Sequence, residues 1–262
     1  MRERIVNVAT PDGQMETFIT HPEQGGPFAA VVLYMDVWGI REELYDIARR
    51  IATVGYYCAV PDLYYRQGRV RHAFRDGDNR MISLAKLSDS DRQRVTAPGA
   101  KLSDTMVVAD TGALSRFLDD GEPVRPGAMG SIGYCMGGRH VMSVAAAYPD
   151  HFLASAGLHP TSLISDRPDS PHKVADRMRG EFYCGFAETD HYAPLSMIQE
   201  LDVLLRGCPV RFHREIHAGA VHGYALPDRD IHHKAGANRD WELIFAMYRR
   251  QLGPLWSADQ AG

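Results

Sequence analysis

The sequence predicts an α/β fold with a mostly parallel central sheet flanked by helices, and two observations carry that expectation. Short continuous apolar runs, such as Phe28 to Met35 and Phe152 to Leu158, alternate with stretches whose apolar residues recur at helical spacing. One such run, Gly127 to Ile132, feeds into Gly133-Tyr-Cys-Met-Gly-Gly138 and then into a helical pattern, so a lone cysteine sits between glycines at a strand-to-helix turn. With 262 residues, 45 % hydrophobic and 24 % charged, the chain is long enough for one large α/β domain. No Ser/Gly-rich tract or internal repeat divides it, so a single domain over 1–262 is expected.

In chain order, Ile5 to Ala9 and Met15 to Thr20 flank Thr-Pro-Asp-Gly and predict an N-terminal β-hairpin. Phe28 to Met35 reads as a central strand buried on both faces and ends in Asp36-Val-Trp-Gly. Leu44, Ile47, Ala48 and Ile51 share one face of a helix over 41–54 that Gly55 closes, and Tyr56 to Val60 returns as a strand stopped by Pro61. Residues 64–101 break the rhythm, being polar and carrying Arg66, Arg69, Arg71, Arg75, Arg80, Arg92 and Arg94. So long a segment is either a solvated excursion or a lid, in which an arginine fork could meet a substrate carboxylate. A helix over 102–118 precedes the strand into the cysteine turn. Beyond the following helix, Phe152 to Leu158, Gly180 to Ala187 and Val210 to Ile216 read as strands. Pro194 to Arg206 and Asn238 to Leu252 read as helices, and His217 to Leu226 as a loop.

Charge and cysteine usage narrow the function. A net charge of -4 offers no global attraction to nucleic acid or to an anionic membrane, and no stretch has the apolar length of a bilayer span. The expected partner is a small molecule, and the chain a monomer or homodimer. The first ten residues lack the apolar core of a secretory signal, so cytoplasmic residence is expected. Cys58, Cys135, Cys184 and Cys208 are far apart with no C-x-x-C pair, which suggests neither a zinc knuckle nor a disulfide framework. Three of the four lie in apolar runs and read as small core residues; Cys135 is the exception.

The turn around Cys135 has the nucleophile-elbow pattern G-x-S-x-G with cysteine in place of serine. A sulfur placed at the start of a helix is favoured as thiolate by the positive end of the helix dipole. In a mainly parallel sheet the site lies at the carboxyl ends of the strands, and those ends carry Asp36, Cys135, Asp190 and His222. Nucleophile, acid, then histidine is the chain order of α/β-hydrolase triads. In that mechanism Cys135 attacks an acyl carbon, His222 moves the proton and Asp190 orients the imidazole. The backbone N–H groups of Met136 and Val37 are the candidate oxyanion donors. A metal site built from His213, His217, His222, His232 and His233 is the rival reading, weakened because no acidic partner falls at zinc-ligand spacing.

On Gly-Tyr-Cys-Met-Gly-Gly at 133–138, Val-Pro-Asp-Leu-Tyr at 60–64, Asp190-His-Tyr-Ala-Pro and His222-Gly-Tyr, the chain resembles the dienelactone hydrolase family of α/β hydrolases over nearly its whole length. The resemblance implies the α/β-hydrolase fold and hydrolysis of an enol lactone or similar small ester by Cys135, His222 and Asp190, without metal or organic cofactor. It implies that an acidic residue holds the resting thiol, a position matched by Asp36, and that Trp38 forms a pocket wall. Tyr134 and Tyr224, beside the nucleophile and the base, join the candidate substrate contacts. Two departures stand out: Asp36 is one methylene shorter than the family's glutamate, and Leu226 stands where a carboxylate-binding arginine would follow the histidine. Arg80 is the candidate for a second such arginine. The other reading that these departures allow is a non-catalytic or redox-sensing protein of the same fold.

Overall fold

A computed structural model describes residues 1–253. Their sheet has eight strands in the order β1-β2-β4-β3-β5-β6-β7-β8. β1 (Arg2–Thr10) and β2 (Gly13–His21) form the expected antiparallel hairpin across the two-residue turn Pro11-Asp12, in the register Thr10 to Gly13. β2 then joins β4 (Tyr57–Pro61) antiparallel. From β4 onward every pairing is parallel, through β3 (Ala30–Tyr34), β5 (Met129–Tyr134), β6 (Phe152–Leu158), β7 (Glu181–Thr189) and β8 (Arg211–Val221). β3 and β5 are buried along their whole length, which is why their sequences are continuously apolar or small rather than alternating.

Among the described residues six α-helices connect and cover the sheet: α1 (Glu42–Thr53), α2 (Asp89–Ala100), α3 (Asp104–Asp119), α4 (Met136–Ala147), α5 (Leu195–Arg206) and α6 (Lys234–Gln251). α1 buries Leu44, Ile47, Ala48 and Ile51, the face read from the sequence. The chain leaves β3 toward β4 on one side and reaches β5 on the other, so strand order reverses beside β3 and opens a crevice at the carboxyl ends of β3 and β5. This reversal places the segment after Tyr34 and the turn after Tyr134 on opposite walls of one crevice.

Two stretches differ from expectation. β8 continues through His217 to Val221, where a loop was expected; it is an edge strand whose mixed exposure hides the apolar alternation. Within 64–101 the chain forms α2, capped by the Ser88 hydroxyl accepting from the Asp91 N–H at 3.1 Å. α2 buries only Val95, and so has no apolar face to betray it. The segment packs a small core of its own, Met81 and Val95 with Phe74, Leu84 and Leu87, against Val37 and Trp38. Met81 also hydrogen-bonds through its backbone to Asp228 (2.7 Å) and Asp230 (3.1 Å), which ties this segment to the loop after β8.

Candidate active site

Cys135 follows β5 and is the N-cap of α4, with φ 55° and ψ −116°. A non-glycine residue enters such a region at a cost of about 1–3 kcal/mol, so its neighbours must hold it there. Its N–H donates to the Leu158 carbonyl at 3.0 Å, and its carbonyl accepts from Gly138 (3.1 Å), Thr161 (3.1 Å) and Arg139 (3.4 Å). Close approach explains the framing glycines. A Cβ on Gly133 would lie 2.2 Å from the Gly137 carbonyl oxygen, and one on Gly137 would lie 2.5 Å from the carbonyl oxygens of both Tyr34 and Met35.

The crevice brings the other candidates to the sulfur. His222 stands just past the end of β8, with Nε2 3.2 Å from Cys135 Sγ and Nδ1 2.7 Å from Asp190 Oδ2. Asp190 follows β7, and its second oxygen accepts from the Tyr192 N–H at 2.8 Å. Burial opposes a charge on His222, but the sulfur of Cys135 and the hydrogen bond to Asp190 outweigh it and push the histidine pKa up to about 10. Met136, as the first residue of α4, has an N–H without a helical acceptor. Among the described residues the Val37 N–H has no backbone acceptor either, whereas the next one, Trp38 N–H, is taken by Asp36 Oδ1 at 3.1 Å.

A cavity of about 430 Å³ opens onto this group. Cys135, His222, Val37 and Trp38 line it, together with Ser83 to Lys86 and Arg92 from the arginine-rich segment. Among the lining residues not read from the sequence are His159 and Arg229. Arg229 is buried, stacks its guanidinium 4.9 Å from the Trp38 ring, and meets Asp36 at 3.8 Å. Its Nε is buried without a hydrogen-bond partner among the described residues. Burial pulls Arg229 below the usual arginine range despite Asp36, as expected of a buried guanidinium whose charge is incompletely paired. The one signal for it in the sequence is the alternation Asp228-Arg229-Asp230, six to eight residues after His222.

Asp36 also lines the cavity, and it and several other candidates make contacts different from those expected. Asp36 makes no hydrogen bond to Cys135 among the described residues; its two oxygens accept from Arg41 at 2.7 and 3.1 Å. Arg41 in turn bonds Asp228 at 2.8 Å, so Asp36 belongs to a buried ion network that pins the β3 loop to the loop after β8. Arg80 does not line the cavity and pairs with Asp76 and Asp78. Tyr134 and Tyr224 are fully buried behind it, and the Tyr224 hydroxyl donates to Asp240 at 2.6 Å. Of the C-terminal histidines, His217 bonds Asp240 at 2.7 Å, His232 bonds the Tyr224 carbonyl, and His233 caps α6. Among the described residues no three His, Cys, Asp or Glu side chains are grouped to hold a metal ion, and no helix is long and apolar enough to cross a membrane.

The model of the dienelactone hydrolase family matches residues 15–252. The chain belongs to the dienelactone hydrolase family. A candidate carboxymethylenebutenolidase of Methylorubrum extorquens is 24 % identical over 250 residues, covering 94 % of this chain and 80 % of the relative. The carboxymethylenebutenolidase of Rhodococcus opacus is 22 % identical, covering 93 % and 89 %. Among solved structures, a candidate dienelactone hydrolase from Klebsiella pneumoniae superposes with a TM-score of 0.82 at 19 % identity, covering 95 % of this chain and 98 % of that one. As a member of this dienelactone hydrolase family, the protein has the α/β-hydrolase fold and is an enzyme of the carboxylic-ester hydrolase class.

Proposed function

We propose that the protein hydrolyses small esters or lactones that carry a carboxylate, with Cys135 as nucleophile, His222 as proton carrier and Asp190 as its orienting acid. The observation that carries this reading is the continuous hydrogen-bonded line from Sγ through the His222 ring to Asp190, at 3.2 and 2.7 Å. The raised histidine supports a resting imidazolium beside the sulfur. The thiolate attacks the acyl carbon, and the developing oxyanion is received by the N–H groups of Val37 and Met136. As the acyl C–O bond breaks, His222 Nε2 protonates the departing oxygen. Water then attacks the thioester while His222 takes its proton, and cleavage of the C–S bond releases the acid and restores the thiolate beside a protonated His222. Every step uses side chains and backbone of this chain.

Arg229 supports the choice of an anionic substrate. Its guanidinium shares the cavity with Cys135, and Asp36 leaves it incompletely paired because Arg41 claims both carboxylate oxygens. The segment carrying Ser83 to Lys86 covers the cavity as a lid, in a chain acting in the cytoplasm as a monomer or homodimer. A turnover screen of aryl esters and lactones, each with and without a carboxylate, tests the reading. Cys135→Ala should abolish turnover with the thermal midpoint nearly unchanged, and Cys135-independent turnover would refute the nucleophile.

A further inference from the structure

His159 sits just past β6, at the strand end between the nucleophile and the Asp190 loop, and has no part in the mechanism above. It is fully buried, and neither ring nitrogen has a hydrogen-bond partner among the described residues. Its ring lies 5.0 Å from that of His222 at 75°, an edge-to-face arrangement, and 5.6 Å from that of Tyr224. The backbone around it is also committed. Leu158 and Thr161, on either side, hold the N–H and the carbonyl of Cys135, and the His159 N–H itself donates to Gly185 at 2.7 Å. One four-residue turn therefore grips the nucleophile by its backbone and touches the base by a side chain. The groups facing this ring are His222, Tyr224, Tyr134, Arg229 and Arg41. Burial, then the positive charges of His222 and Arg229, hold His159 neutral, so it does not compete for the proton that His222 carries.

We infer that His159 is a positioning residue: a neutral flat ring, fixed to the same turn as Cys135, that sets the plane of His222 so that Nε2 meets the sulfur while Nδ1 meets Asp190. This rests on the proposed triad, and one readout separates the two. In the wild-type protein the His222 Nδ1 proton, bonded to Asp190, should give a strongly deshielded ¹H signal near neutral pH, whether or not the enzyme turns over a given ester. His159→Ala should lose that signal to solvent exchange and lower kcat by about 10- to 100-fold, with KM changed by less than about twofold. His159→Phe, which restores a flat ring without nitrogens, should recover the signal and most of kcat. If the alanine variant does not fold, His159→Leu, which fills the space without a flat ring, carries the same expectation as alanine. An unchanged signal and kcat in the alanine or leucine variant would overturn the inference. So would a raised KM at constant kcat, or rescue by His159→Gln but not by phenylalanine, since each assigns the nitrogens to substrate. A Cys135→Ala protein that still turns over ester sinks the triad without touching this test.

Discussion

Asp190→Asn keeps the size of the orienting side chain and removes its charge, and the effect on His222 can be worked from the contacts between them. His222 carries a pKa raised from an ordinary 6.5 to about 10, with burial opposing and Cys135 and Asp190 raising it. The Asp190 contribution passes through a buried, charge-assisted bond of 2.7 Å. Such a bond is worth about 1.5–3 kcal/mol. With one pH unit equal to about 1.4 kcal/mol, the His222 pKa should fall by about one to two pH units. The sign is fixed by the role: above its pKa, His222 no longer holds the proton that the leaving oxygen needs. The alkaline limb of kcat/KM for an aryl ester should therefore move to lower pH in the variant. Stability obeys the same linkage. A raised histidine pKa stabilises the folded state fully below about 6.5, and that contribution is lost as pH rises through about 10. The drop in thermal midpoint caused by Asp190→Asn should thus be largest in acid and shrink toward the alkaline limb. Alkaline limbs that coincide in wild type and variant would refute the assignment of Asp190.

Three further substitutions have definite expectations. Arg229→Gln should lower kcat/KM for a carboxylate-bearing ester by about 10- to 100-fold, the value of a charged hydrogen bond, while the neutral isostere changes little; equal losses on both substrates would remove the anion subsite. Asp36→Ala should cost about 3 kcal/mol in urea unfolding, because it strips a partner from buried Arg229 and Arg41 while Asp228 still holds Arg41. A loss below about 1 kcal/mol would class the network with surface pairs. Gly137→Ala puts a methyl 2.5 Å from two carbonyl oxygens of the β3 end, and should destabilise by about 1–3 kcal/mol or more, read as a lowered urea midpoint; an unchanged midpoint would contradict the close approach.

The parts of this fold that could be read in the sequence are those set by local requirements. The cysteine turn needs glycines where backbones touch, and the strands next to it are buried on both faces, so Gly133, Gly137 and the runs of β3 and β5 signal themselves. Strand ends converge in a parallel sheet, which is why Cys135, Asp190 and His222 could be grouped from chain order before any distance was known. The features that stayed hidden depend on partners distant in sequence. Asp36 looks like a free acid after a strand, and only the fold shows Arg41, five residues on, closing on it while Asp228, far along the chain, holds that arginine in place. Arg229 reaches the cavity because Asp228 and Asp230 are tied to Arg41 and Met81, contacts across more than 140 residues. α2 was hidden for another reason: with Val95 as its one buried residue, nothing in its pattern distinguishes a helix from a polar loop. The arginines around it are largely accounted for by nearby acids, as Arg66 is by Asp12 and Asp110, and Arg71 by Glu16 and Asp62.

The central claim is that an acyl group passes through the sulfur of Cys135. It is tested most directly by quenching the enzyme in acid during turnover of an activated ester and locating the added acyl mass by peptide mapping. The mass should appear on the peptide that contains Cys135, and on none containing Cys58, Cys184 or Cys208, and should vanish in Cys135→Ala. Steady turnover by Cys135→Ala, or a trapped acyl group on any other residue, would contradict it.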